Sequence, residues 1–271
     1  IYKFFMKKKY LVIGNPIEHS LSPKLHNHWL KEKNIDAVYD KKKLDEKDLQ
    51  SIVSEVKEEK IDGINVTVPF KKAVIPFLDE LSLEARETQS VNTIYLQNGI
   101  TIGHNTDIAG FELAIKYAKY EVAGKKIFLL GAGGVSPSII YSLKKMKASK
   151  ITLTNRTKEK AENLKKLFKD IEIIDWGERI DFDMIINATS IGLKKNEDGL
   201  NFDYSANGPN KFFYDVIYNP RETLFLKRAK LFGNRAENGK MMFIYQAHQA
   251  FTIWHKLMPE INDETIKLLD Q

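Results

Sequence analysis

A short apolar run that breaks into glycines and passes straight into a helical pattern limits what this chain can fold into. Phe128-Leu129-Leu130 leads directly into Gly131-Ala132-Gly133-Gly134-Val135-Ser136. A buried strand joined to a helix by such a turn opens a βαβ unit. Its glycines let backbone N–H groups approach a pyrophosphate, whose charge the helix N-terminus favours. Ser136 stands where the GxGxxG pattern has its third glycine, so the string gains its weight from lying between strand and helix.

The chain around this turn keeps the same grammar. Residues 126–130, 151–154, 171–174, 183–187 and 211–217 read as strands, with helices following the glycines to about Met146 and over 158–168. Strands alternating with helices at this spacing imply parallel βαβ units. Upstream, the strand at 10–13 stops at Gly14-Asn15-Pro16, and Ser22-Pro23 fits the N-cap and first turn of a helix carrying Leu25 and Trp29. Leu49, Ile52, Val53 and Val56 repeat with helical period. A β-branched run at 61–68 ends at Pro69, and 91–96 and 100–103 form a hairpin across Asn98-Gly99. Asp107 opens a helix through Tyr117, and from Gly239 the pattern is mostly helical. The expected fold is therefore two α/β domains with a ligand cleft between them. One comprises 1–106 with 239–271 and binds and transforms substrate. The other, 107–238, is Rossmann-like and binds nucleotide, with 107–124 as the linking helix.

The composition supports a globular protein. Of 271 residues, 43% are hydrophobic and 11% aromatic, enough for a sizeable core and unlike a disordered chain. No apolar run reaches the roughly 18–20 residues of a membrane span. The basic, aromatic start lacks a secretory pattern; Met6 is the expected start, with residues 1–5 vector or leader sequence. The absence of cysteine excludes disulfides, thiolate nucleophiles and cysteine-ligated metals. The simplest location is the cytoplasm. Net charge is +6, yet between Lys144 and Lys169 ten Lys and Arg face two Glu, leaving about −2 elsewhere. A solvated helix face and a phosphate-facing surface both fit that segment.

The end of the second strand after the glycines bears on the choice. NAD sites place an acid there for the ribose 2′-hydroxyl. This chain has Thr154-Asn155-Arg156-Thr157, with no acid and an arginine suited to a 2′-phosphate. The expected cofactor is NADP(H). The basic segment carries few aromatics, which argues against single-strand nucleic-acid binding.

The first domain gathers polar residues at the ends of its apolar runs: Ser20, Ser22, Asn65, Thr67, Lys71, Asn92, Asn105, Thr106 and Asp107. Their recurrence suggests a pocket for a hydroxyl-rich ligand. Lys71 and Asp107 can handle a proton: a ketone that accepts hydride becomes an alkoxide, and an ammonium can protonate it. The six histidines fall in no metal-ligand spacing, so no metal site is expected. No serine-hydrolase or zinc-protease motif is present.

Taken in order, these strings resemble the shikimate dehydrogenase (shikimate/quinate dehydrogenase) family. The matching residues are Gly14 through Pro23, Asn65-Val66-Thr67-Val68-Pro69-Phe70-Lys71, Val91-Asn92-Thr93, Asn105-Thr106-Asp107 and the glycine turn. Asn155-Arg156-Thr157, Asn187-Ala188-Thr189-Ser190 and Asp215-Val216-Ile217-Tyr218-Asn219-Pro220 continue the series. The resemblance implies NADPH-dependent reduction of 3-dehydroshikimate to shikimate in aromatic amino-acid biosynthesis, by a monomer or homodimer without nucleic-acid or membrane partners. It implies Lys71 and Asp107 as the catalytic pair, and Ser20, Ser22, Asn65, Thr67, Asn92, Asp107, Tyr218 and Gln246 as substrate ligands. Tyr218 and Gln246 rest on the resemblance alone. It further implies cofactor contacts at Gly131, Ala132, Gly133, Gly134, Val135, Asn155, Arg156, Thr157, Ala188, Thr189, Ser190 and Gly239. Two departures stand out. Pro137 occupies a place where the family often has a basic residue, and Met241 replaces the second glycine of a Gly-x-Gly-Met string. A glutamyl-tRNA reductase shares a glycine turn and Asn-Arg-Thr but needs a cysteine, which this chain lacks.

Overall fold

A computed structural model describes residues 7–194, 197, 200 and 202–270. The expected start at Met6 and the origin of residues 1–5 lie outside the described residues. The chain divides into two compact units, 1–107 with 244–271 and 108–243.

In the first unit β1 (Lys8–Gly14), α1 (Ser22–Glu32), β2 (Ala37–Lys43), α2 (Leu49–Lys57) and β3 (Gly63–Val66) come first. Then follow β4 (Glu80–Leu81), α3 (Leu83–Thr88), β5 (Thr93–Gln97) and β6 (Ile100–His104), and α4 (Asp107–Tyr117) opens on the unit's last residue before 244. The six strands form one mixed sheet in the order β2-β1-β3-β5-β6-β4. β1 runs parallel to β2 and β3, whereas β5 runs antiparallel to β3 and β6. That reversal positions the site: the start of β5 lies beside the ends of β3 and β6, with Thr93 paired to both Asn65 and His104. The hairpin turn is Asn98-Gly99, both at positive φ, as a primed two-residue turn requires. One face of α2 buries Leu49, Ile52, Val53 and Val56 against Leu11, Ile13, Ile64 and Ile94.

Two expectations change here. β2 is an additional strand with three exposed lysines at its end; it forms because Ala37 and Tyr39 alternate inward at a sheet edge. Helix α1 begins one residue earlier than the capping pattern implies, with Leu21 at the N-cap and no side-chain cap. Ser22 is therefore the first helical residue, and Ser20 Oγ accepts its backbone N–H at 3.3 Å.

The second unit contains β7 (Lys126–Leu130), α5 (Ser136–Lys145), β8 (Lys150–Thr154), α6 (Lys158–Leu167), β9 (Glu172–Ile173), β10 (Met184–Asn187), β11 (Phe212–Asp215), α7 (Leu224–Leu231) and β12 (Arg235–Glu237). Its sheet is parallel throughout, in the order β12-β11-β10-β7-β8-β9. The central strands β10 and β11 are buried along their whole length, as a sheet covered on both faces demands. Helix α8 (Lys240–His255) begins in this unit and ends in the first, where α9 (Asp263–Leu268) follows. No helix among the described residues is long and apolar enough to cross a membrane.

Candidate active site

In the first unit the polar residues at the strand ends are joined by hydrogen bonds. The turn after β3 closes with Phe70 N–H on the Thr67 carbonyl at 3.0 Å, and Phe70 is buried in the core. The next residue, Lys71, is tied through its carbonyl to Val91 N–H at 2.8 Å. These bonds fix the base of the Lys71 side chain, whose Nζ meets Asp107 Oδ2 at 2.6 Å. Side-chain exposure of the pair is only 13% and 8%. This is a shielded ion pair in which each group needs its partner.

Asp107 is held from the other side as well. Asn92 Nδ2 donates to Asp107 Oδ1 at 3.1 Å and to Thr106 Oγ1 at 2.9 Å. Asn92 Oδ1 accepts the Thr106 N–H at 2.8 Å, and Asn105 Oδ1 accepts the Asp107 N–H at 3.0 Å. Asn65 Nδ2 donates to the Asn92 carbonyl at 3.0 Å and to Thr93 Oγ1 at 3.1 Å. Asn65 Oδ1 accepts the Tyr39 hydroxyl at 2.7 Å. Asn65, Lys71, Asn92 and Asp107 are thus brought into one network with Tyr39, Thr93 and Thr106. Burial pushes the Tyr39 phenol well above its ordinary range, and the neighbouring Ser22 hydroxyl offsets part of that shift. Ser20 serves the backbone of Ser22, Thr67 the turn before Lys71, and Gln246 lies half-buried on α8.

In the second unit the glycine turn is set by its neighbours. Gly131 has φ +106°, and a Cβ there would stand 2.9 Å from the Ala188 carbonyl carbon and oxygen; glycine alone fits. Ala132 N–H is held by Asn155 Oδ1 at 3.0 Å, and Asn155 Nδ2 donates to the Thr157 carbonyl at 2.8 Å. Gly133 and Gly134 are exposed, and a Cβ on Gly133 would meet only the Ala188 oxygen, at 3.9 Å. Ser136 Oγ donates back to the Gly131 carbonyl at 2.7 Å, a structural use of the position that lacks glycine. Pro137 stands in the first turn of α5 without an N–H to offer. Arg156 is exposed and has no ion pair among the described residues. The open glycine cradle and the uncommitted guanidinium fit a dinucleotide that carries a 2′-phosphate.

The following loop carries Ala188, Thr189 and Ser190. Its N–H and hydroxyl at Thr189 both donate to Asn187 Oδ1, at 3.1 and 2.6 Å. Asn187 Nδ2 in turn donates to Asp215 Oδ1 at 3.2 Å, and Thr223 Oγ1 to Asp215 Oδ2 at 2.6 Å. Burial raises the Asp215 carboxyl to about 6 against these hydrogen bonds. Tyr218 stacks on Phe243 with ring centroids 4.5 Å apart, and burial pushes its phenol upward. Gly239 precedes α8 because any Cβ would fall 2.0 Å from the Val216 carbonyl oxygen. Met241 enters one residue inside that helix.

Four of the ten cations of the basic segment pair with carboxylates outside it. Lys144 pairs with Asp170, Lys145 with Glu112, Lys150 with Glu172 and Lys158 with Asp175, at 2.7 to 3.2 Å. No three His, Asp or Glu side chains among the described residues converge as metal ligands.

Tyr39 carries a site connection that the sequence reading did not single out, and Asp215, which heads one of the matching strings, is given no site role there. The signal for Tyr39 was its inward alternation with Ala37 on β2.

Comparison with known proteins agrees across the chain. Residues 12–94 match a family described as the shikimate dehydrogenase substrate-binding domain, and residues 112–217 match shikimate/quinate 5-dehydrogenase. A shikimate dehydrogenase (NADP(+)) of Pelagibacter ubique is 60% identical over 265 residues, covering 98% of this chain and all of that protein. The crystal structure of shikimate dehydrogenase from Aquifex aeolicus has a TM-score of 0.88 at 37% identity, covering 97% and 96% of the two chains. The Thermus thermophilus shikimate 5-dehydrogenase, in complex with NADP(H) and shikimate, has 0.86 at 27%, covering 96% and 97%.

Proposed function

The chain belongs to the shikimate dehydrogenase family, and on that premise we propose how its residues interconvert 3-dehydroshikimate and shikimate. It is an NADP-dependent oxidoreductase of aromatic amino-acid biosynthesis. The observation that carries the mechanism is the Lys71–Asp107 pair, 2.6 Å apart and anchored from both sides. NADPH, when bound, supplies the hydride for the ketone carbon. The residues that would hold it are the 131–135 turn, Asn155, Arg156, Thr157, the Ala188-Thr189-Ser190 loop and Gly239.

Lys71 donates the proton that the reduced oxygen requires. One of its three N–H bonds is directed at Asp107 Oδ2, which leaves two for substrate oxygen. Asp107 orients Lys71 and keeps lone pairs for a substrate hydroxyl. In the reverse direction the hydroxyl proton returns to the lysine nitrogen. Ser20, Ser22, Asn65, Thr67, Asn92, Tyr218 and Gln246 complete the substrate contacts. Polar groups committed to hydroxyls are left unpaired by analogues without them, and such sites discriminate strongly. The enzyme works in the cytoplasm as a monomer or homodimer, which cell fractionation and sedimentation would check.

The test is oxidation of NADPH and, separately, NADH by the purified chain with 3-dehydroshikimate, followed by absorbance. NADPH should be consumed rapidly and NADH weakly. Lys71→Ala, folded, should lose roughly 10²–10⁴-fold in turnover. Comparable NADH use would overturn the Arg156 argument. No turnover with either cofactor, or an active Lys71→Ala, would overturn the assignment.

A further inference from the structure

Tyr39 on β2 is hydrogen-bonded to Asn65 on β3, a residue of the substrate cluster. The direction of that bond can be derived. The Asn92 backbone carbonyl only accepts, so the group facing it at 3.0 Å must be the Asn65 amide nitrogen. The second hydrogen on that nitrogen goes to Thr93 Oγ1 at 3.1 Å. Asn65 Oδ1 therefore faces Tyr39, and the phenol must donate its single proton there, at 2.7 Å. With its proton committed, the phenol oxygen offers the neighbouring Ser22 hydroxyl only an acceptor.

The phenol is itself fixed. Its ring stacks on His26 with centroids 4.1 Å apart and planes 4° from parallel. Its backbone is clamped by Asn27, whose Nδ2 donates to the Tyr39 carbonyl at 2.7 Å and whose Oδ1 accepts its N–H at 3.0 Å. His26 is fully buried and held neutral, pushed down to about 3 by burial and then by His255. Tyr39 stays a phenol because burial raises it well above its ordinary range.

We propose that Tyr39 is a positioning residue of the substrate site, which fixes the Asn65 amide in the polarity that the substrate meets. Asn65 then offers the substrate a lone pair on Oδ1, since both its amide hydrogens are spent, and so selects a hydroxyl donor. The proposal rests on the reading of this cluster as the shikimate site.

The experiment is Tyr39→Phe in the full chain, with calorimetric Kd values for shikimate and for NADP+ measured separately alongside steady-state kinetics. Shikimate Kd and KM should rise about 3- to 10-fold, the worth of one net hydrogen bond, while the NADP+ Kd stays within about twofold. 4-Aminophenylalanine at position 39 keeps the ring and a donor, and should restore shikimate affinity. In an Asn65→Ala background Tyr39→Phe should cost clearly less than in the native chain, as expected of coupled residues. If Tyr39→Phe does not fold, 4-fluorophenylalanine fills the hydroxyl's volume without a donor and should show the same selective loss. Unchanged shikimate affinity in a folded variant without the donor, an equal loss for NADP+, or losses that simply multiply with Asn65→Ala would overturn the proposal. A native chain that neither binds nor oxidises shikimate would instead overturn the reading beneath it.

Discussion

Around Lys71 the amide hydrogens of Asn65 and Asn92 are all committed to protein acceptors. Around Gly133 the turn is exposed, and Arg156 projects without an ion pair among the described residues. The two regions solve opposite problems. The first unit buries its polar side chains, and buried donors and acceptors must be paired. Pairing them with one another also locks their rotamers, so the groups meant for substrate are oriented before it arrives. The second unit holds the backbone of its turn through Asn155 but exposes Gly133, Gly134 and Arg156. A ligand there pays for ordering the Arg156 side chain, which no ion pair among the described residues holds in place. Substitutions in the first region should therefore propagate along the network, whereas those in the second should stay local.

The sharpest way to break this contrast is Asp107→Asn. It removes the charge facing Lys71 and, with one amide oxygen in place of two carboxylate oxygens, turns N–H groups toward one of the two donors, Lys71 or Asn92. Turnover should fall by at least about 10²-fold, as for loss of a positioned proton-transfer partner, with the NADP+ Kd nearly unchanged. A small loss would mean that Lys71 is oriented by its backbone alone.

Asp215 offers an exception inside the second unit, since it is a buried carboxyl with three hydrogen-bond donors. Its folded-state value is raised from 3.8 to about 6, with burial as the dominant cause. The folded chain then binds the proton more tightly than the unfolded one. Stability from this group is fully present below about 4 and is lost as pH rises through about 6. The loss is at most about 3 kcal/mol, from about two units at 1.36 kcal/mol each. Denaturation midpoints taken between pH 4 and 7.5 should show that fall, and Asp215→Asn should flatten it. A slope of the opposite sign would mean that the three donors outweigh burial.

Arg156→Ala tests the open region directly. Loss of one guanidinium–phosphate contact should raise the KM for NADPH roughly 10- to 100-fold and leave that for NADH unchanged. Equal effects on both cofactors would place Arg156 elsewhere on the nucleotide.

These contrasts also explain what could be read in advance. The nucleotide turn was legible because its constraints are local: positive φ at Gly131 and a strand–helix junction fall within a few residues. The polar residues of the first unit were legible one at a time, at the ends of apolar runs. Their wiring was not, because it depends on β5 running antiparallel, which brings Asn92 beside Asn65 and Asp107. Tyr39 was missed for a related reason. An edge strand reading Ala-Val-Tyr-Asp-Lys-Lys-Lys has too few apolar residues to announce itself, and its inward tyrosine acquires a role only through a residue 26 positions away. Ser22 shows the limit of local capping rules: Leu21 holds the N-cap without a side-chain cap, and Ser20 Oγ accepts the Ser22 N–H.

The smallest expected effect comes from the basic segment. Its sequence suggests a phosphate-facing surface, but Lys144 lies 2.7 Å from Asp170, whose carboxyl that hydrogen bond holds below its ordinary value. Both groups are largely solvated, so screening leaves the pair worth less than about 1 kcal/mol. Lys144→Ala should shift the melting temperature by no more than about 2–4 °C, and less as ionic strength increases. Its NADPH affinity should match that of the native chain, because the charge is already spent on a carboxylate. Arg156 and Lys144 belong to one cationic run in sequence, yet one has an acid within reach and the other has none described. If Lys144→Ala weakened NADPH as Arg156→Ala is expected to, the whole segment would act as a diffuse positive field. If it does not, recognition of the 2′-phosphate rests on a single geometrically placed guanidinium, and the surrounding lysines serve the surface of the fold.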